Sequence, residues 1–229
     1  MNTTEISRFK LLVMAVTRLG LFLVILFGLI LGIAGQLSYW QAWMYLFTLL
    51  IPMIVVLAYL LVYDPALLAR RMQYREKEAQ QKLIIKLGSA LYIFIYLVPA
   101  LDQRFSWSEI PAWVSIIADG FVLFGYLVFF QVLRVNSYAS RTIEVMEGQK
   151  LVSTGLYGIV RHPMYVGNIM MFVATPIALG SLWGLIPIVP FIGIMVYRIL
   201  NEESVLVRDL PGYSDYQNQV RYRLIPGVW

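Results

Sequence analysis

The 229-residue chain has no cysteine and one histidine, His162. Without thiols there is no disulfide, no thiolate-held metal and no cysteine nucleophile. A single imidazole and few clustered carboxylates argue against an intrinsic zinc or iron site. Charge is scarce too: 14% of residues are charged, where a soluble domain carries roughly 25%. Internal repeats and low-complexity linkers are also missing, so one domain over residues 1–229 is the simplest organisation. What is abundant is apolar. Hydrophobic residues make up 60% of the chain and mean hydropathy is +0.73, the composition of an integral membrane protein. The net charge of +5 follows from membrane topology and does not call for nucleic acid as a partner.

A bilayer core is crossed by roughly 20 apolar residues in a helix. Six runs approach that length, at about residues 19–34, 42–63, 87–101, 112–133, 164–179 and 185–200. The expected fold is therefore all-α and integral to the membrane, with about six transmembrane helices. The last two are joined by Gly180-Ser181-Leu182-Trp183-Gly184, which predicts a tight hairpin. Gly32 and Ala34 have the spacing of a signal-peptidase site, but five later spans favour an uncleaved anchor. Pro52 predicts a kink in the second span, a defect that packed membrane helices tolerate. Residues 64–86 form the most polar stretch, with Arg70, Arg71, Arg75, Lys77, Lys82 and Lys86 against Asp64, Glu76 and Glu78. Its DPALLARRM opening reads as an interfacial amphipathic helix with Leu67 and Leu68 toward lipid. Trp107 and Trp113 suit an aromatic belt.

With six spans, every Lys and Arg except Arg104 falls on one side, together with both termini. The positive-inside rule makes that side cytoplasmic. It puts His162, residues 134–161 and the C-terminal tail on one face.

The stretch that organises this face is residues 155–167, GLYGIVRHPMYVG. Proline excludes His162 from the helix, and Pro163 suits a first helical position. A helix starting there would turn the N–H groups of Met164 and Tyr165, with Arg161 beside them, toward an anion or carboxylate. A basic cap closing a span accounts for the same residues equally well. Three cytoplasmic pieces can converge here. They are residues 136–141 (NSYASR), residues 149–165, and Arg198 with Glu202 and Glu203. Arg198 and Glu202 are four apart and share a helix face. Taken singly, these residues have plainer readings. Arg198 alone would snorkel, and Asn136, Ser137 and Ser140 would cap the fourth span. Tyr213 and Tyr216 would pack a tail helix on the interface, while Tyr222 and Trp229 would anchor there.

RHPMYVG, a hydrophobic hairpin, the Glu202-Glu203 pair and a Tyr-rich tail closing in YRLIPG together resemble the isoprenylcysteine carboxyl methyltransferase and phospholipid methyltransferase family. The resemblance covers roughly residues 120–229. It divides the chain into N-terminal spans (1–111) and a methyltransferase-like core (112–229). It implies an integral membrane enzyme that binds S-adenosylmethionine (SAM) on the cytoplasmic side and methylates a lipid-like or prenylated acceptor. By this resemblance Gln149, Lys150, Leu151, Val152, Tyr157, His162, Pro163, Met164 and Tyr165 line the cofactor, Glu202 or Glu203 holds it, and Arg198 faces the acceptor, with Asn136 nearby.

The chemistry is consistent with that set. Methyl transfer from a sulfonium needs no metal, and positioning two reactants can supply roughly 7–11 kcal/mol. An acceptor carboxylate is already ionised, and Arg198 can orient it. Tyr157 and Tyr165 offer ring faces to a cation. An amine or thiol acceptor would require a base, for which His162 is the near-neutral candidate. Two other classes remain. One is an NADPH-dependent sterol-type reductase, which carries a similar R-H-P-x-Y and Y-R-x-x-P ending on a longer chain. The other is a non-catalytic membrane scaffold.

Overall fold

Ser7 opens the first helix, its Oγ accepting the N–H of Lys10 at 3.3 Å as an N-cap. The computed structural model describes residues 7–72, 79–139 and 142–229. Arg75, Glu76, Lys77, Glu78, Ser140, Arg141 and the side chain of Lys82 lie outside the described residues. Within them the regular structure is helical: α1 (Arg8–Phe27), α2 (Trp40–Tyr63), α3 (Pro65–Met72), α4 (Ala79–Phe105), α5 (Ala112–Val135), α6 (Pro163–Ala178), α7 (Ile188–Asp209) and α8 (Tyr213–Gln219). A π-helical turn, Gly28–Gly32, prolongs α1.

Among the described residues, four stretches are long and apolar enough to cross a membrane: Arg8–Gly32, Trp40–Tyr63, Ala112–Val135 and Trp183–Asp209. The expectation of six requires counting α4 and α6 as well. The expected short third run lies inside α4, which has 27 residues and begins and ends in polar sequence. α6 has 16 residues. Pro52 sits inside α2, whose helix continues through it.

The expected tight pairing of the last two runs takes a different form. Gly180 adopts a left-handed φ of 75° and a 3-10 turn, Trp183–Leu185, follows, so α7 starts only at Ile188. α6 packs chiefly along α5. Gly125 and Gly167 meet back to back, and a Cβ on either would stand 2.7 Å from the other's carbonyl oxygen. Small residues permit this closeness between membrane helices. It fixes α6, and with it the RHPMY turn, against α5.

One expectation about the periphery is overturned. Leu67 and Leu68 are buried against Leu11, Leu60 and Leu133 and do not face lipid. The cause is polar: Arg70 donates to the Ser137 carbonyl at 2.6 Å and Arg71 to that of Ala139 at 2.7 Å, so α3 is pulled down onto the chain after α5. Asp64 caps α3 by accepting the Leu67 N–H at 2.8 Å. The tail is tied to the RHPMY turn through its backbone. The N–H groups of Arg161 and His162 donate to the carbonyls of Tyr222 and Arg223 at 2.9 and 3.0 Å, and the N–H groups of residues 223–225 converge on the Trp229 carbonyl.

At the far end of α6 a second polar knot closes the bundle. Asp102, 1% exposed, accepts from the Ser108 N–H and hydroxyl at 2.7 Å each, and from the Ser181 hydroxyl. Ser108 in turn accepts the Leu182 N–H at 3.1 Å.

Candidate active site

Between the RHPMY turn, α4, α7 and α8 lies a cavity of about 770 Å³. The three pieces named from sequence meet around it. Asn136, Gln149, Lys150, Leu151, Val152, Tyr157, His162, Pro163, Met164, Tyr165, Arg198 and Glu202 all line it. Glu203 does not.

The adjacent glutamates have separate surroundings because successive residues on an α-helix point about 100° apart. Glu202 faces the cavity and accepts the Tyr165 hydroxyl at 2.7 Å, while Arg198 Nε donates to that same phenol oxygen at 3.0 Å. The expected shared face of Arg198 and Glu202 is thus realised through one tyrosine. Glu203, 5% exposed, turns the other way. It accepts from Arg161 Nε at 2.7 Å and Arg223 Nε at 2.9 Å, and lies 3.2 Å from His162 Nε2.

This arrangement revises two expectations. Arg161 is not open to an anion at the helix start, because its guanidinium also donates to the carbonyls of Val220 and Arg221 at 3.0 Å. The Tyr165 N–H already donates to the His162 carbonyl at 3.1 Å, so it is not available at that helix start either. His162 is non-helical, as proline requires, with φ −124°. A carboxylate among cations only accepts, so His162 Nε2 carries its hydrogen toward Glu203.

The opposite wall is built from the segment after α5. Asn136 ends that helix, accepts the Tyr138 N–H at 2.9 Å and donates its amide to the Tyr157 hydroxyl at 2.8 Å. Its capping and cavity-lining roles therefore coexist. Gln149 Oε1 accepts the Met146 N–H at 3.0 Å, which folds the turn that presents Lys150, Leu151 and Val152. Tyr216 of α8 donates to the Tyr157 carbonyl at 2.7 Å. Burial pushes the Tyr157 phenol up to about 12, with the Asn136 hydrogen bond opposing and the Glu202 charge adding to the rise. Burial likewise raises Tyr213 and Tyr216. All three stay neutral hydroxyls at physiological pH.

Tyr213 and Tyr216, assigned from sequence to the membrane interface, are buried cavity residues. Tyr138, within the NSYASR piece, lines the cavity as well, whereas sequence reasoning missed Arg71, Asn168 and the α4 contribution at Gly88 and Tyr92. For Asn168 a signal existed, since it is a lone amide three residues after Tyr165 within an apolar run. For α4 there was none.

Residues 113–210 match the profile of the phospholipid methyltransferase family. The methyltransferase resemblance holds. The matched segment runs from α5 to the end of α7 and contains the RHPMY turn, Arg198 and both glutamates. The fold of this methyltransferase-like chain is also similar to that of the eukaryotic intramembrane Ras methyltransferase ICMT (isoprenylcysteine carboxyl methyltransferase). The TM-score is 0.55 and identity 21%, covering 90% of this chain and 74% of that one. Mouse Delta(14)-sterol reductase is 32% identical over 91 residues, 38% of this chain. The chain spans only about a fifth of that reductase, 22% of its length. With its apolar helices and this fold, the protein is a multi-pass membrane protein.

Proposed function

We propose that the chain is a membrane methyltransferase that uses SAM and methylates a lipid-embedded acceptor, the carboxylate of an isoprenylcysteine-like compound being the acceptor class its site suits best. The observation that carries this reading is the Arg198–Tyr165–Glu202 line, set inside a cavity and within the segment that matches the family. The residues fit the cofactor. Residues 149–152 and Tyr157 form one wall and Met164, Tyr165 and Glu202 the other, so a carboxylate, backbone groups and aromatic faces are all within the cavity. Bound there, SAM supplies a methyl group on a sulfonium, an electrophile that needs no metal.

Glu202 accepts from the cofactor's ammonium or a ribose hydroxyl, and Tyr157 and Tyr165 offer rings to its adenine or its positive charge. Arg198 orients the acceptor carboxylate. No proton has to leave such an acceptor, which suits a site whose histidine gives its Nε2–H to Glu203. A phospholipid amine or a thiol would need a base. The basic loops support six spans, counting α4 and α6, with this cavity and both termini cytoplasmic.

The partial match to a sterol reductase supports NADPH as a second ligand to test. Calorimetric titration of the detergent-solubilised protein with SAM, its demethylated product and NADPH decides between them. Binding of the first two, weakened by Glu202→Gln, is the expected outcome. Binding of NADPH alone would move the protein to the reductases.

A further inference from the structure

The cavity extends well past Arg198 along three helices, and on α6 and α7 its lining turns from polar to aromatic. It runs from Arg198 to Phe191 on α7, from Tyr165 to Phe172 on α6, and from Ile84 to Tyr92 on α4. On α6 and α7 the step from polar to aromatic is seven residues, a rise of roughly 10 Å. Three rings meet at the deep end. Phe172 meets Tyr92 at 5.7 Å and Phe191 at 4.7 Å between centroids, both edge to face. Ile95 and Ile188 are buried in one cluster with Phe191. Tyr92 is braced through hydroxyls: Tyr96 donates to it at 3.4 Å and lies 3.1 Å from Tyr45, which lies 2.9 Å from Thr175. Halfway along, Gly88 faces Ile194, and a Cβ built on it would stand 3.9 Å from the isoleucine Cγ2.

We propose that this apolar arm gauges the length of the acceptor's tail, with Tyr92, Phe172 and Phe191 as its stop. The proposal deepens the methyltransferase reading and rests on it for the head group. A tail that fits within about 10 Å of helix rise lies wholly within the arm. A longer one leaves its remainder outside the arm, where protein packing adds nothing to its affinity.

The test is equilibrium binding of S-alkyl-N-acetylcysteines of increasing tail length to the full chain in lipid nanodiscs. Affinities of each variant are taken relative to the wild type, which cancels partition of the tails into lipid. For Phe172→Ala the ratio should stay level for short tails. Beyond the stop it should rise, by up to about fourfold for each methylene that fills the vacated ring space. For Gly88→Phe the ratio should fall once tails reach the middle of the arm. Thermal unfolding checks that each variant is folded, and if Phe172→Ala is not, Gly88→Phe decides alone. Ratios that stay level across the whole series overturn the gauge. Because the readout is binding, the two ideas fail separately. Shifted ratios without methylated product would keep the gauge and remove the methyltransferase reading, whereas level ratios with product would do the reverse.

Discussion

Asp102 and Glu203 are both buried carboxylates that tie distant segments together, one at each end of α6. Asp102 is satisfied by neutral donors, a backbone N–H and two serine hydroxyls. Glu203 is satisfied by two arginines and the histidine. The first knot closes on itself, whereas the second abuts the cavity, since Arg161 and His162 both reach its wall. Chemistry of the donors explains the division. A neutral knot can be completed wherever loops meet. A carboxylate that accepts charge-assisted hydrogen bonds from several cations at once holds those neighbours in one arrangement.

The largest contrast should come from Glu203→Gln. Removing the anion leaves Arg161 buried and uncompensated, a change that costs about 3–5 kcal/mol in comparable sites. Thermal unfolding in detergent should show a large loss, and an unaltered midpoint would mean the cluster does not hold the fold. Glu202→Gln, one residue away, should leave the unfolding midpoint nearly unchanged. It should weaken SAM binding by about tenfold, the worth of one charge-assisted hydrogen bond. Equal stability losses in both variants would erase the distinction drawn between the two glutamates.

Asp102→Asn keeps an acceptor oxygen for its serine partners, so a loss of about 1 kcal/mol is expected. SAM titration should be unaffected, and a weakened titration would show that the far knot communicates with the site. The smallest effect concerns pH. The folded Tyr157 phenol titrates near 12, above its ordinary value of about 10. The folded state therefore holds this proton more tightly than the unfolded chain does. That advantage is complete below pH 10 and is lost as pH rises toward 12. The stability difference between wild type and Tyr157→Phe should be constant up to about pH 10 and shrink above it. A difference independent of pH through 12 would contradict the buried, Asn136-bonded phenol.

Much of this was legible in the sequence, and what was not has a physical reason. Proline at 163 dictates both a non-helical His162 and a helix start, and both are present. The four-residue spacing of Arg198 and Glu202 correctly puts them on one face. Spacing could not choose between Glu202 and Glu203, because the choice depends on where Arg161 and Arg223 arrive from elsewhere in the chain. Leu67 and Leu68 illustrate the same limit. An amphipathic helix must bury its apolar face, but pattern alone does not say whether lipid or protein covers it. Arg70 and Arg71 decide that by reaching carbonyls nearly seventy positions away. Gly88 and Tyr92 carried no signal because an apolar span looks the same whether it faces lipid, core or a cavity.

The pairing of Arg161 and His162 with Tyr222 and Arg223 also sets an order of assembly during synthesis. The described helices all precede those carbonyls in the chain, so the spans can be inserted while the site is still incomplete. A chain stopped before residue 220 should reach the membrane yet give no heat with SAM, and retained binding would show that the tail is dispensable. Quality control of this protein would then have to read residues 220–229 and not its spans.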